Sequence, residues 1–238
     1  VHSLGVALAQ AGRRVLVVDL DPQACLTYSL GFDPDGLEGS LHDVLVRRVA
    51  TGDVIRQVDG VPGLSLLPAT IDLAGAEVHL LAKTGREHVL ARALQPVLVE
   101  YEVVLIDCPP SLGVLTINGL TAAQAVLVPL QCEALSHRGV GQLLETVEDV
   151  RTFANAELQV LGLVATMFDG RTRHARQVLD GVGERYGLRV LEPPVPKSVR
   201  FAEAPAQGRS ILQHAPGSPG AEAYRSLARQ VGELLAAV

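Results

Sequence analysis

The stretch VLVVDLDPQ, residues 15–23, decides the fold. Three valines and a leucine run without a polar break into Asp19 and Asp21, and Pro22 then ends any strand. A Val/Leu run with no alternation marks a strand buried on both faces, as in a parallel sheet covered by helices. Ligands of open α/β sheets bind outside the carboxyl ends of the strands, which is where these two acids stand. Two residues apart, they fall on one side of an extended chain, and Pro22 turns Asp21 further toward that edge.

The pattern recurs along the chain. Residues 64–67 (LSLL), 103–106 (VVLI), 125–130 (AVLVPL) and 160–165 (VLGLVA) read as strands, with a short one at 188–191 (LRVL). Helical spacing of apolar residues lies between them, at 85–99, 138–153, 173–186 and 219–237. Residues 1–12 also read as a helix, with Val1, Leu4, Leu8 and Ala11 on one face and Gly12 as the stop. Alternating strand and helix predicts a doubly wound α/β fold, a mostly parallel sheet with helices on both faces. No repeat, low-complexity tract or linker divides the 238 residues, so residues 1–238 are expected to form a single domain.

Composition narrows the function. Net charge is −6, which excludes a strongly basic nucleic-acid binder. The average hides an asymmetry: residues 1–168 carry 10 Lys+Arg against 19 Asp+Glu, residues 169–238 carry 10 against 7. The C-terminal third therefore suits a polyanion better than the rest. No apolar run reaches the ~18 residues of a membrane span. Cys25, Cys108 and Cys132 lack metal-ligand spacing and read as reduced, buried thiols of a cytoplasmic protein. The seven histidines are scattered.

A second strand end repeats the first. VVLIDCPPS, residues 103–111, delivers Asp107 to the same kind of edge. A strand-end aspartate commonly caps a helix or turn. Two such ends in one α/β chain point to a Mg²⁺–phosphate centre, where a rigid strand holds a carboxylate in place and a buried flank strengthens its charge.

Longer blocks extend the argument: GRRVLVVDLDPQACLTYSLG, LLPATIDLAGAE, YEVVLIDCPPSLGVLTINGLTAA, VLVPLQCEALSHRGVGQLL, TMFDGRT and VPKSVRFAEAPAQGRSI. Together, and in order over nearly the whole chain, they resemble the ParA/Soj chromosome- and plasmid-partition ATPases, in the deviant-Walker group that also holds MinD. The resemblance implies a P-loop NTPase-like fold and an ATP-dependent switch with Mg²⁺. The ATP form would be a sandwich homodimer that binds DNA without sequence preference, with hydrolysis stimulated by a ParB-like centromere-binding partner. It would be cytoplasmic and nucleoid-associated. By motif, Asp21 would orient the attacking water, Asp19 would support that shell, and Asp107 would hold Mg²⁺ through a water. Pro196 and Ser198 of VPKSVR would lie on the adenine side, and DCPPSLG would be the loop that senses the γ-phosphate. Arg171, Arg173, Arg176, Arg185, Arg189, Lys197, Arg200 and Arg209 are the basic group from which DNA contacts would come.

The sequence departs from that family at its start. The family opens with a strand and a K-G-G-x-x-K-T-T phosphate loop, whose amides and lysines hold the phosphates. No such motif occurs, and Val1 would fall just past its last threonine. The chain is expected to be N-terminally truncated relative to the family, to lack a central strand, and to bind nucleotide weakly as 238 residues. A non-hydrolysing ParA-like interaction protein is the alternative. A MinD-like positioning regulator is another, but the last helix has only Arg225 and Arg229 on its polar face, offset by Glu222 and Glu233, so no stable membrane anchor is expected.

Overall fold

A computed structural model describes residues 1–133 and 136–236. Ala134 and Leu135 of the quoted stretch, and Ala237 of the last expected helix, lie outside the described residues. Helix α1 (His2–Gln10) precedes strand β1 (Val15–Asp19), then the short helices α2 (Cys25–Ser29) and α3 (Thr51–Val54). Strands β2 (Arg56–Gln57) and β3 (Leu64–Leu67) lead to α4 (Leu73–Leu81), α5 (Val89–Leu94), β4 (Val103–Asp107), α6 (Val114–Ala122) and β5 (Ala125–Gln131). The order continues through α7 (Ser136–Phe153), β6 (Gln159–Thr166), α8 (Arg173–Tyr186) and β7 (Val190–Leu191) to α9 (Arg200–Glu203), α10 (Ile211–His214) and α11 (Pro219–Leu235).

Strand β1 is the centre of the first sheet, whose order is β2-β3-β1-β4. It runs parallel to β3 on one side and β4 on the other, with Val15 opposite Val103 and Asp19 opposite Asp107. Only β2 is antiparallel. All five β1 residues are buried. Val15 and Val17 pack with α1 and α11 through Leu4, Leu8, Leu227 and Val231. Leu16 and Val18 point the other way, onto Leu73 and Leu80 of α4 and Leu90 and Leu94 of α5. The unbroken apolar run is needed because both faces are covered; each such side chain contributes about 1.5–3 kcal/mol on burial.

The second sheet is β5-β6-β7, all parallel. Helix α8 lays Ala175, Leu179 and Val182 on it, beside Val140 of α7. Among the described residues β4 and β5 do not pair, so the single sheet expected from sequence is divided between them. A cavity of about 1580 Å³ separates the two, walled by β4 and β5 and by parts of α6, α7 and α11. The residues of β4 are accordingly only half-buried.

Several expectations are revised. Residues 85–99 are not one helix: α5 ends at Leu94 and a 3-10 turn, Gln95–Glu100, follows because Pro96 cannot continue an α-helix. Helix α1 is buried on every side from Leu4 to Ala9, so its apolar residues are not confined to one stripe. Helix α11 uses Leu227, Ala228 and Val231 to pack against α1. Helix α8 has the expected bounds, with the Thr172 hydroxyl accepting from Ala175 N at its start and a left-handed Gly187 at its end.

Gly162 sets the geometry of the second sheet. The β5–β6 register shifts between Val126 and Leu127, and Gly162 there has φ of +142°. A Cβ at this position would lie 2.4 Å from the Arg189 carbonyl oxygen. Gly162→Ala is expected to cost about 3 kcal/mol, from overpacking plus backbone strain. Gly181→Ala in α8, where a Cβ meets nothing within 4 Å, should be neutral or stabilising by up to about 1 kcal/mol. Urea denaturation of the two variants checks the contrast.

Candidate functional site

The parallel register brings the two acidic strand ends side by side. Asp19 closes β1 opposite Asp107, and the Leu20 amide donates to the Asp107 carbonyl at 2.8 Å. Asp21 lies beyond the strand, in the turn before α2. Its Oδ1 accepts from the Gln23 amide at 2.9 Å, and its carbonyl accepts from Ala24 N at 2.9 Å. That turn ends with Ala24 in the left-handed region at φ 52°.

The three carboxylates have different surroundings. Asp19 is fully buried. Its Oδ2 accepts from the Thr27 amide at 2.8 Å and the Thr27 hydroxyl at 2.7 Å, and its Oδ1 accepts from Asp21 N at 3.3 Å. It is therefore turned into the protein, toward α2. Asp21 is half-buried and keeps one oxygen clear of the Gln23 bond. Asp107 is half-buried and lines the large cavity with Cys108, Pro109 and Pro110. Among the described residues no donor meets its carboxylate, and no lysine or arginine side chain pairs with any of the three acids.

Electrostatics follows from this crowding. Burial pushes the Asp19 carboxyl up to about 6, against the hydrogen bonds from Thr27, and the charge of Asp107 adds to the rise. Burial raises Asp107 as well; the N-terminal ammonium opposes the rise and the charge of Asp21 adds to it. Burial also raises the Cys25 thiol, with all three acids contributing. A cluster of this kind, short of basic side chains, suits a divalent cation. No group of three His, Cys, Asp or Glu among the described residues could hold a metal unaided. Mg²⁺ is commonly held by one or two carboxylates, with water and substrate phosphates completing its shell.

Pro196 and Ser198 belong to a second group, at the end of the other sheet. The Phe168 amide donates to Val195 O at 2.9 Å, the Lys197 amide donates to Phe168 O at 3.1 Å, and Phe168 bridges Pro196. Ser198 is exposed and accepts from Arg200 N at 3.4 Å. No described contact joins this group to Asp21 or Asp107. Beside it stands Met167, which is exposed and left-handed at φ 49°. Such backbone strain in a bulky residue gathers at functional sites. Sequence reading missed both Met167 and Thr27.

Asp169 is fixed by Arg171, whose guanidinium nitrogens donate to its two oxygens at 2.9 and 2.8 Å, and this holds its carboxyl down at about 2. Arg173, Arg176, Arg185, Arg189, Lys197, Arg200 and Arg209 are all exposed. The cysteines depart from expectation: Cys25 is exposed and Cys108 and Cys132 are half-buried, all three unpaired. No described helix is long and apolar enough to cross a membrane.

Comparison with known proteins adds to this geometry. The profile of the AAA_31 family, described as an AAA domain, matches residues 1–160. The sporulation initiation inhibitor protein Soj of Bacillus subtilis is 43% identical over 229 residues, 96% of this chain and 90% of the relative. The chromosome-partitioning ATPase Soj of Thermus thermophilus is 44% identical, over 96% of this chain and 87% of the relative. A solved structure of cobyrinic acid a,c-diamide synthase from Mycobacterium smegmatis, with bound ADP and magnesium, superimposes with a TM-score of 0.86 at 50% identity. It covers 98% of this chain and 87% of that one.

The Asp19 environment makes stability depend on pH. Its folded-state pKa, about 6, lies above the ordinary 3.8. The native chain thus holds a proton that the unfolded chain has released. The contribution is fully present below about pH 4 and is lost as pH rises through about 6, a change of about 3 kcal/mol. Asp19→Asn removes this slope. Urea denaturation across that range should show the stability difference between parent and variant falling by up to that amount; parallel curves would assign the titration elsewhere.

Proposed function

The chain belongs to the ParA/Soj family of partition ATPases, and from that premise we propose that it is an ATP-driven partition switch. In this reading Mg·ATP promotes a homodimer that binds DNA without sequence preference, and a ParB-like protein stimulates hydrolysis and release. The observation that carries it is the convergence of Asp21 and Asp107 on one edge, with no basic side chain among the described residues pairing either. Such a cluster is unfavourable alone and favourable around a cation and its phosphates.

Roles follow from the surroundings of each group. Asp21, held by its own turn with one oxygen free, orients the water that attacks the γ-phosphorus. Asp107, which meets no donor among the described residues, is the residue to hold Mg²⁺ through a water. The ion would neutralise charge on the transferring phosphoryl group. Asp19 touches neither water nor substrate in this reading; it positions the Asp21 turn. Pro196 and Ser198 take the adenine side, beside Met167. The exposed arginines of the C-terminal third meet DNA phosphates, and the apolar stripe of α11 is occupied by α1, which supports the absence of a membrane anchor.

The Mycobacterium smegmatis structure raises a second reading, an ATP-dependent amidation of a corrinoid carboxylate. The two separate by which additive raises phosphate release: DNA with a ParB-like partner, or cobyrinic acid with a nitrogen donor.

Asp21→Ala should lower Mg²⁺-dependent phosphate release by about a hundredfold or more while nucleotide affinity is kept. Turnover equal to the parent protein would remove Asp21 from the reaction. Arg173 and Arg176 lie one turn apart on α8 and are both exposed. Replacing both with alanine should weaken binding to random-sequence DNA and lower the salt slope of log K by about 2, read from titrations at several salt concentrations.

A further inference from the structure

Thr27 is fully buried, and its hydroxyl is used in both directions. It donates to Asp19 Oδ2 at 2.7 Å and accepts from the Ala69 amide at 3.0 Å. Its own amide donates to the same Asp19 oxygen at 2.8 Å. Three pieces of chain meet here: the end of β1, the first turn of α2, and the segment that leaves β3 for α4. Between Asp19 and Thr27 runs the turn that carries Asp21. That turn is closed at one end by the Leu20–Asp107 bond and within by bonds from Asp21 N to Asp19 and from Gln23 N to Asp21. It includes Ala24 in a left-handed conformation that only surrounding contacts can maintain. Helix α2 is too short, at five residues, to hold itself.

We propose that Thr27 is a positioning residue: its hydroxyl straps β1, α2 and the segment after β3 together, and so fixes the turn that aims Asp21. The role assigned to Asp21 rests on the partition-ATPase reading above; the strap itself rests on the hydrogen bonds alone. Thr27→Val keeps the shape of the side chain, removes the hydroxyl, and leaves the buried Ala69 amide without its acceptor. Misplacing a catalytic group by about an ångström costs up to about a hundredfold in rate.

Two readouts separate the strap from the activity. In the full-length protein, Thr27→Val should lower kcat for ATP hydrolysis by about tenfold to a hundredfold with KM changed by less than about threefold. Thr27→Ser, which keeps the hydroxyl, should restore kcat. Hydrogen exchange should show faster amide exchange at Leu20, Asp21, Gln23, Ala24 and Ala69 in the valine variant, with the serine variant protected like the parent. Thr27→Cys, with a weak donor and acceptor in the same place, serves the same comparison if valine prevents folding. Unchanged exchange in the valine variant overturns the strap, and so does a serine variant as impaired as valine, since packing of the methyl group would then be the cause. If the parent protein releases no phosphate from ATP, the partition-ATPase reading fails while exchange still decides the strap.

Discussion

The acidic edge depends on one ladder, β1 against β4. The register sets Val15 opposite Val103 and carries through to Asp19 opposite Asp107, and the Leu20 amide extends it one residue past the strand. A slip by one residue would turn every β1 side chain to the other face. Burial forbids that slip, because Val15 and Val17 are packed under α1 while Leu16 and Val18 are packed under α4 and α5. The carboxylates are neighbours because the apolar faces of their strands are buried, and in spite of their own repulsion.

That repulsion is handled differently at each acid. Asp19 accepts three hydrogen bonds and still titrates high, so burial outweighs its partners. Asp21 spends one oxygen on its own turn. Asp107 lines the cavity without a donor among the described residues. The gradient runs from an acid bound into the framework to one open to the cavity. A site of this form has its support built on the protein side and its charge left over on the other.

Much of this was legible in the sequence, for a physical reason. A strand buried on both faces needs an unbroken apolar run, so β1, β3, β4, β5 and β6 announce themselves, and the acids at their ends stand out against it. Helix α8 carries its own start and stop, Thr172 and Gly187, and its bounds are legible in the sequence. Helices α4 and α6 were not read as helices; α6 presents Leu115, Thr116, Asn118, Gly119, Leu120 and Thr121 as buried, which leaves no stripe of period 3.6 to find. Strand β2 is two residues long and polar. Pro96 was the sign that residues 85–99 would break, and the apolar spacing around it masked that sign. Thr27 gave no pattern at all, since its importance comes from Asp19 and Ala69, which only the fold brings to it.

The loop after Asp107 joins the acidic edge to the rest of the molecule. It leaves β4 through Cys108 and two prolines, and Ser111 and Leu112 are exposed. Its middle is tied back to α6 by the Thr116 hydroxyl, which donates to Ser111 O at 2.6 Å. Helix α6 is locked in turn by buried Asn118. Its amide nitrogen donates to Arg86 O at 2.8 Å, and its oxygen accepts from Leu90 N at 3.1 Å. The prolines restrict the loop's backbone while leaving it short of amide donors. The same helix leads on to β5, across the cavity. The covalent path from Asp107 to the second sheet therefore runs through one proline-stiffened loop and helix α6.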